Sequence, residues 1–213
     1  MADRVIEVLT PATSVDLMTL DEAKLFMSID PADTSDDQQL ELFISVNSAT
    51  IFRMCNRVFA REEVREEWRE LNGGHRIFPS HWPIAAADIE SVESPIGTVL
   101  DPSQYELEEE SGKIEIFGMA AFAEPVAVTY WGGYALPDEA PLPLKRACAM
   151  LNIQSRLLAS IGQYAGIRQL THKQARVMFH DPTKIIAAAM GQTGTPMSAA
   201  AMQILAHYIH YEV

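Results

Sequence analysis

The stretch VAVTYWGGYALPDEAPLPLKRACAMLNIQSRLLASI, residues 126–161, decides how this chain is organised. It opens as a short alternating strand with Val126, Val128 and Tyr130 on one face. It then turns through Gly132 and Gly133 and crosses a linker punctuated by Pro137, Pro141 and Pro143. The helix that follows is apolar on two faces. Leu144, Ala147, Cys148, Leu151 and Leu158 recur at helical spacing as one stripe, and Met150, Ile153, Leu157 and Ile161 form a second. A helix that needs cover on both sides is either central to its own domain or shared with a neighbouring subunit.

Upstream, residues 4–9 (RVIEVL) read as an extended segment ending at Thr10-Pro11. Thr19 and Glu22 have the form of a capping box, with acids in the first turn where the helix dipole favours them. A longer helix over about 37–58 carries Leu40, Phe43, Ile44, Ile51, Met54, Cys55 and Val58 at helical spacing, interrupted by Asn47. The two make a helical hairpin whose apolar stripe suits the Leu144 to Leu158 face, and the three helices then form a small bundle.

Between 62 and 131 the period changes. VREEWREL, HRIFPS, IESVES, QYELEEE, GKIEIFG and VAVTYW are short strand candidates separated by Pro and Gly turns. They predict an antiparallel sheet or small sandwich inserted into the bundle. The acidic pairs Glu62-Glu63 and Glu66-Glu67 read as a solvated outer sheet face, and Trp68, Trp82 and Trp131 as core anchors. After Ile161 the pattern loosens into an arm, with a short helix over 183–190 and a last helix after Thr195-Pro196. This arm orders against another surface or packs back on its own bundle. The predicted class is α+β, divided as 1–61 (strand and hairpin), 62–135 (inserted β domain), 136–161 (bundle helix) and 162–213 (extended C-terminal arm).

The 213 residues carry a formal net charge of −13, and the charge is unevenly placed. From Ile161 onward four bases face two acids, and the first 160 residues hold 12 bases against 27 acids. An acidic body argues against gripping DNA, which needs clustered Lys and Arg, but suits a surface that DNA slides past. Cys55 and Cys148 fall within apolar stripes and read as small buried hydrophobes. The segment after Met1 has no signal-peptide core and the chain has no membrane-length apolar run, so a protein made in the cytoplasm and not inserted in membrane is expected.

No pattern for covalent or metal chemistry stands out. GxSxG, GxxxxGK[ST], GxGxxG, HExxH and CxxC are all missing. His172, His180, His207 and His210, with Asp181 or a Glu, are the residues a small metal-dependent hydrolase would have to use. Surface or interface histidines are the simpler reading. No cofactor and no catalytic residue is expected.

Taken in order, the chain resembles the head-tail connector (adaptor) proteins of long-tailed phages and related gene-transfer particles. The resemblance is carried by VIEVLTPATSVDLMTLDEAKLFMSID, DDQQLELFISVNSATIFRMCNRVF, WPIAAADIESVE, LDPSQYELEEESGKIEIF and VTYWGGYALPDEAPLPLKRACAMLNIQ, which together cover residues 4–160. Where that pattern has a basic residue or Leu after the EAK segment, this chain has Phe26-Met27, a change that touches packing. The tail beyond Ile161 is longer than in the family's minimal members.

The resemblance implies a virion protein of the neck: a ring of twelve copies beneath the portal, lining the channel through which DNA passes and offering a surface to a tail-completion or tail-terminator protein. On this expectation Leu144, Met150, Ile153 and Leu157 serve bundle or inter-subunit contacts, and Arg168, Lys173, Arg176 and Phe179 dock the arm on the portal. A different neck component, such as a tail-completion or terminator protein, is the alternative within the same class.

Overall fold

The computed structural model describes residues 4–71, 73–117, 121–162, 169–172, 175–178 and 199–209. The fold is α+β, as expected, with antiparallel sheets, helices and a C-terminal helix. The chain forms two compact units, Met1–Val15 with Arg57–Glu139 and Asp16–Asn56 with Ala140–Val213. Each is assembled from separate stretches of sequence.

The sheet unit contains β1 (Arg4–Thr10), β2 (Glu62–Trp68), β3 (Arg76–Ile77), β4 (Ile89–Glu93), β5 (Tyr105–Glu108), β6 (Lys113–Ile116) and β7 (Val126–Gly132). A four-stranded sheet has the order β1-β2-β7-β4 and a three-stranded one the order β3-β6-β5, with every pairing antiparallel. The first strand, grouped by its sequence position with the helical hairpin, pairs with β2 instead, from Arg4 opposite Trp68 to Val8 opposite Val64. β7 satisfies only one edge of β2, and RVIEVLT supplies hydrogen-bonding partners for the other.

Both sheets contribute to one core: Val64 and Trp68 from β2, Ile77 from β3, Val92 from β4, Ile114 and Ile116 from β6, and Val126, Val128 and Tyr130 from β7. Trp68 is a core anchor and Trp82 packs against the cluster. Trp131 is not, because it stands one residue on from Tyr130 and points to the other face of β7, where its ring lies 5.9 Å from the Arg61 guanidinium carbon.

The expectation of a solvated acidic face fails at Glu66. Its position alternates in step with Val64 and Trp68, so it enters the core side and is fully buried. Its Oε1 accepts hydrogen bonds from the Ser80 amide (2.8 Å), the Ser80 hydroxyl and the Tyr130 hydroxyl. Arg4 Nη1 lies 3.8 Å from Oε2. Burial pushes the Glu66 carboxyl up, but His81, Ser80 and Tyr130 together outweigh it and hold the group below the ordinary 4.5. Burial, and then the Glu66 charge, drive the Tyr130 phenol far up, so it stays protonated and keeps donating.

The helical unit contains α1 (Leu20–Phe26), α2 (Asp37–Cys55), α3 (Leu142–Gly162) and α4 (Ala199–Leu205), with a hairpin of β8 (Gln169–His172) and β9 (Ala175–Met178). The capping box at α1 forms: Thr19 Oγ1 accepts from the Glu22 amide at 3.2 Å, and Glu22 Oε2 accepts from the Thr19 amide at 2.9 Å. The other oxygen of Glu22 takes a hydrogen bond from buried Lys145 of α3 at 2.6 Å. Buried Lys24 similarly reaches Asp37 at 2.7 Å. α2 stops at Cys55 because Asn56 adopts a left-handed conformation (φ 49°) and closes the helix end.

α2 and α3 pack through Leu40, Ile44, Ile51, Cys55, Leu144, Ala147, Cys148 and Leu151, all buried. Within this seam Asn47 Nδ2 donates to Asn152 Oδ1 (2.6 Å) and Ser155 Oγ (3.2 Å), and Ser48 Oγ accepts from the Leu17 amide (3.0 Å). Both cysteines are free and buried, and burial pushes the Cys148 thiol up to about 12, so it is no nucleophile. Past α3 the arm does not simply reach away. α4 packs back on α3, with Ala201 and Leu205 buried, because its apolar residues recur on one face. The expected helix over 183–190 lies outside the described residues.

The Gly132-Gly133 corner is more than a turn. A Cβ on Gly133 would sit 2.3 Å from the Ala60 carbonyl oxygen, and φ there is +100°. Gly97 has a similar φ of +92° but open space around it. Gly133→Ala is therefore expected to cost about 3 kcal/mol or more in urea unfolding, and Gly97→Ala only about 1 kcal/mol of backbone strain. Equal losses would mean that the chain at Ala60 yields freely.

The Glu66 cluster has a pH signature. A carboxylate whose folded pKa is depressed stabilises the protein above its unfolded pKa, and that contribution is lost as pH falls through the folded value. Stability should therefore drop as the solution is acidified below the ordinary 4.5. Glu66→Gln should cost about 1–3 kcal/mol near neutrality by weakening a buried acceptor, and should flatten the acid limb. An unchanged acid limb in the variant would exclude Glu66 as its source.

Candidate functional site

The densest polar cluster is the one around Glu66. Ser80 Oγ lies 2.8 Å from His81 Nδ1, His81 Nε2 lies 3.1 Å from Glu62 Oε2, and the His81 amide donates to the Tyr130 hydroxyl at 3.1 Å. A hydroxyl, an imidazole and a carboxylate in sequence suggest a nucleophile relay. The geometry works against it, because Ser80 donates its proton to the Glu66 carboxylate and His81 is buried. The donors that an oxyanion needs are already turned on Glu66. The cluster serves the fold, joining β2, β7 and the 80–81 segment through one buried anion.

Arg57 is a buried cation of this unit. Its guanidinium carbon lies 3.0 Å from the Trp82 ring centroid and 4.6 Å from that of Phe59, and Nη2 donates to the Trp82 carbonyl. Stacking on aromatic faces lets a guanidinium be buried with its charge intact. Among the described residues no group of three His, Cys, Asp or Glu is placed to hold a metal ion. Of the histidines weighed for a hydrolase, His207 is exposed in the turn after α4 and His172 lies in β8, whereas His180, His210 and Asp181 lie outside the described residues.

Several large apolar side chains stand exposed on the surface. The structure separates the four residues assigned from sequence to bundle or subunit contacts. Leu144 is taken by the chain's own core, Met150 is half-buried, and Ile153 and Leu157 are 47% and 49% exposed, one turn apart on α3. Leu142, on the same side, is 75% exposed. α2 carries a matching pair that the sequence reading missed, Leu42 (60%) and Val46 (53%). The signal was present: both fall outside the core stripe of an otherwise regular helix. In the sheet unit, edge strand β1 exposes Val5, Ile6, Val8 and Leu9. Of the residues assigned to the arm, Arg176 lies in β9, and Arg168, Lys173 and Phe179 lie outside the described residues. No helix among the described residues is long and apolar enough to cross a membrane.

No protein-family model matches the sequence, and no curated protein does. Solved structures do match. The chain is similar to one in the neck of an empty gene transfer agent particle computed with C6 symmetry, with a TM-score of 0.58 at 13% identity. It is also similar to one in the virion of the native gene transfer agent particle, at 0.58 and 15%, and to one in the native neck computed with C12 symmetry, at 0.51 and 15%. In each case 98% of this chain and 97% of the other are covered. At such identity the fold is what the chains share, and they share it from end to end.

Proposed function

We propose that this chain is a structural component of the neck of a phage or gene-transfer particle. Its copies form a ring beneath the portal, extend the DNA channel and offer the surface on which the tail is completed. The observation that carries this reading is the end-to-end correspondence of fold with neck chains of a gene transfer agent. The match covers both units together, which a shared small motif would not produce.

Two features of the chain support the reading. In its strongest polar cluster the Ser80 and Tyr130 donors are committed to one oxygen of Glu66, which suits a structural role for the cluster. Its net charge of −13 suits a conduit that repels phosphate rather than binds it. The partners are then further copies of the chain, the portal and a tail-side neck protein, with DNA passing through unread. The portal contact falls to the basic arm around Arg168, Lys173, Arg176 and Phe179. A tail-completion or terminator role in the same neck differs only in which face meets which neighbour.

The test is capture of DNA-filled, tailless particles by the full-length chain. Capture is expected, and Arg168→Glu with Arg176→Glu should weaken it while leaving the melting temperature unchanged. Undiminished capture by the double variant would move docking off the arm. Binding to tail-tube components and never to tailless heads would place the chain on the tail side of the neck.

A further inference from the structure

The first strand is an open edge. Among the described residues β1 pairs only with β2, and every residue from Val5 to Thr10 is exposed. One side of its backbone bonds to β2, and the other presents a row of amide and carbonyl groups free to pair. Native edges are blunted by Pro, by Lys or by a bulge. Here the bulge between Val8 and Thr10 and then Pro11 come only at the end, and Arg4 to Val8 pair without interruption.

The strand is apolar on both faces. Residues opposite one another in an antiparallel pair share a face. Ile6 stands opposite Glu66 and Val8 opposite Val64, so both lie on the core face of the sheet, yet they are 42% and 46% exposed. Val5 and Glu7 take the outer face, opposite Glu67 and Arg65. The apolar layer of the core thus runs one strand beyond what covers it.

We propose that β1 accepts an extended segment of another protein as a fifth strand of its sheet, with aliphatic side chains continuing the row of Ile6 and Val8 and a lysine or arginine beside Glu7. Main-chain hydrogen bonds would supply the affinity and the alternating side chains the selectivity. This goes beyond the neck reading and does not depend on it.

Charge selects this occupant over a second copy. Antiparallel self-pairing of Arg4–Thr10 along its full length turns about the middle residue and sets Glu7 opposite Glu7. Parallel pairing in register does the same. Like charges directly opposite destabilise a pair, so Glu7 bars its own copy. Glu7 itself makes no ion pair among the described residues. Arg65, opposite it, is turned to Glu67 at 3.2 Å and Glu93 at 2.9 Å. Glu63, further along the outer face, adds another acid beside Thr10. The other bases close in sequence stand at the far end of the strand: Arg4 reaches over the core face toward Glu66, and Arg69 follows Trp68, the partner of Arg4. A cation on an incoming strand would meet an unpaired carboxylate.

The probe is a synthetic peptide, acetyl-Gly-Ser-Val-Thr-Val-Lys-Val-Thr-Val-Ser-Gly-amide, whose symmetric centre presents Lys to Glu7 whichever way it runs. A twin carries Glu in place of Lys. Both are titrated into the full-length chain and followed by NMR amide shifts. The Lys peptide should shift the amides from Val5 to Leu9 saturably, and should bind roughly threefold or more tighter than its twin. Glu7→Lys should reverse that order and Glu7→Gln should abolish it, with melting temperatures near wild type because the side chain is exposed. If Glu7→Lys melts early, Glu7→Gln alone decides. No shift in β1 at millimolar peptide overturns the inference, and so do twins that bind alike or a preference that ignores residue 7. Concentration-dependent shifts of the same amides without peptide would make a second copy the occupant and overturn it too.

Discussion

One amide pair aligns the helical unit. Asn47 and Asn152 are 105 residues apart in sequence, and their side chains meet at 2.6 Å in a mostly apolar seam. Apolar packing alone tolerates slippage by a turn; a buried donor that loses its acceptor does not, at about 1–3 kcal/mol. The pair therefore selects one alignment of α3 on α2, the registry role best attested for buried polar groups. Asn152 also turns its amide toward Met18 Sδ at 3.5 Å, which ties the segment before α1 to the same point. The outward positions of Leu42, Val46, Ile153 and Leu157 follow from this alignment. A slip of one residue on either helix would rotate them by about 100° toward the core.

The sheet unit uses a buried polar anchor differently. Glu66 is an anion in the core, and its desolvation would oppose folding if its oxygens lacked donors. Ser80 and Tyr130 supply them to Oε1, Arg4 sets a positive charge 3.8 Å from Oε2, and His81 stands between Glu66 and Glu62. Strands far apart in sequence thus converge on one carboxylate. Gly132 and Gly133 permit the close approach that this requires: a side chain at Gly132 would strike the His81 carbonyl at 2.3 Å. Polar groups that resemble a catalytic relay on paper are here committed to holding backbone segments together.

Much of this was legible in the sequence, and the failures have identifiable causes. The Thr19 capping box, the long α2 stripe and the short strand runs are local signals, and the structure realises them locally. Glu66 was legible too, since strict alternation places it with Val64 and Trp68, although its acidic neighbours read as a solvated face. The pairing of β1 with β2 spans more than fifty residues and leaves no local trace. The same holds for the return of α4 onto α3. Of the arm residues assigned from sequence, only Arg176 has a described backbone position. The outer stripe of α2 was overlooked because a search for core faces discards the residues that do not fit them.

The distribution of satisfied and exposed groups bears on what kind of work the chain can do. Among the described residues, buried Lys24 pairs with Asp37, buried Lys145 with Glu22, and buried Glu66 with the Ser80 and Tyr130 donors at Oε1. Outside the cores this chain exposes aliphatic side chains at regular helical intervals, where each leaves water only if another surface covers it. Removing such groups from water is non-directional, and its strength scales with area.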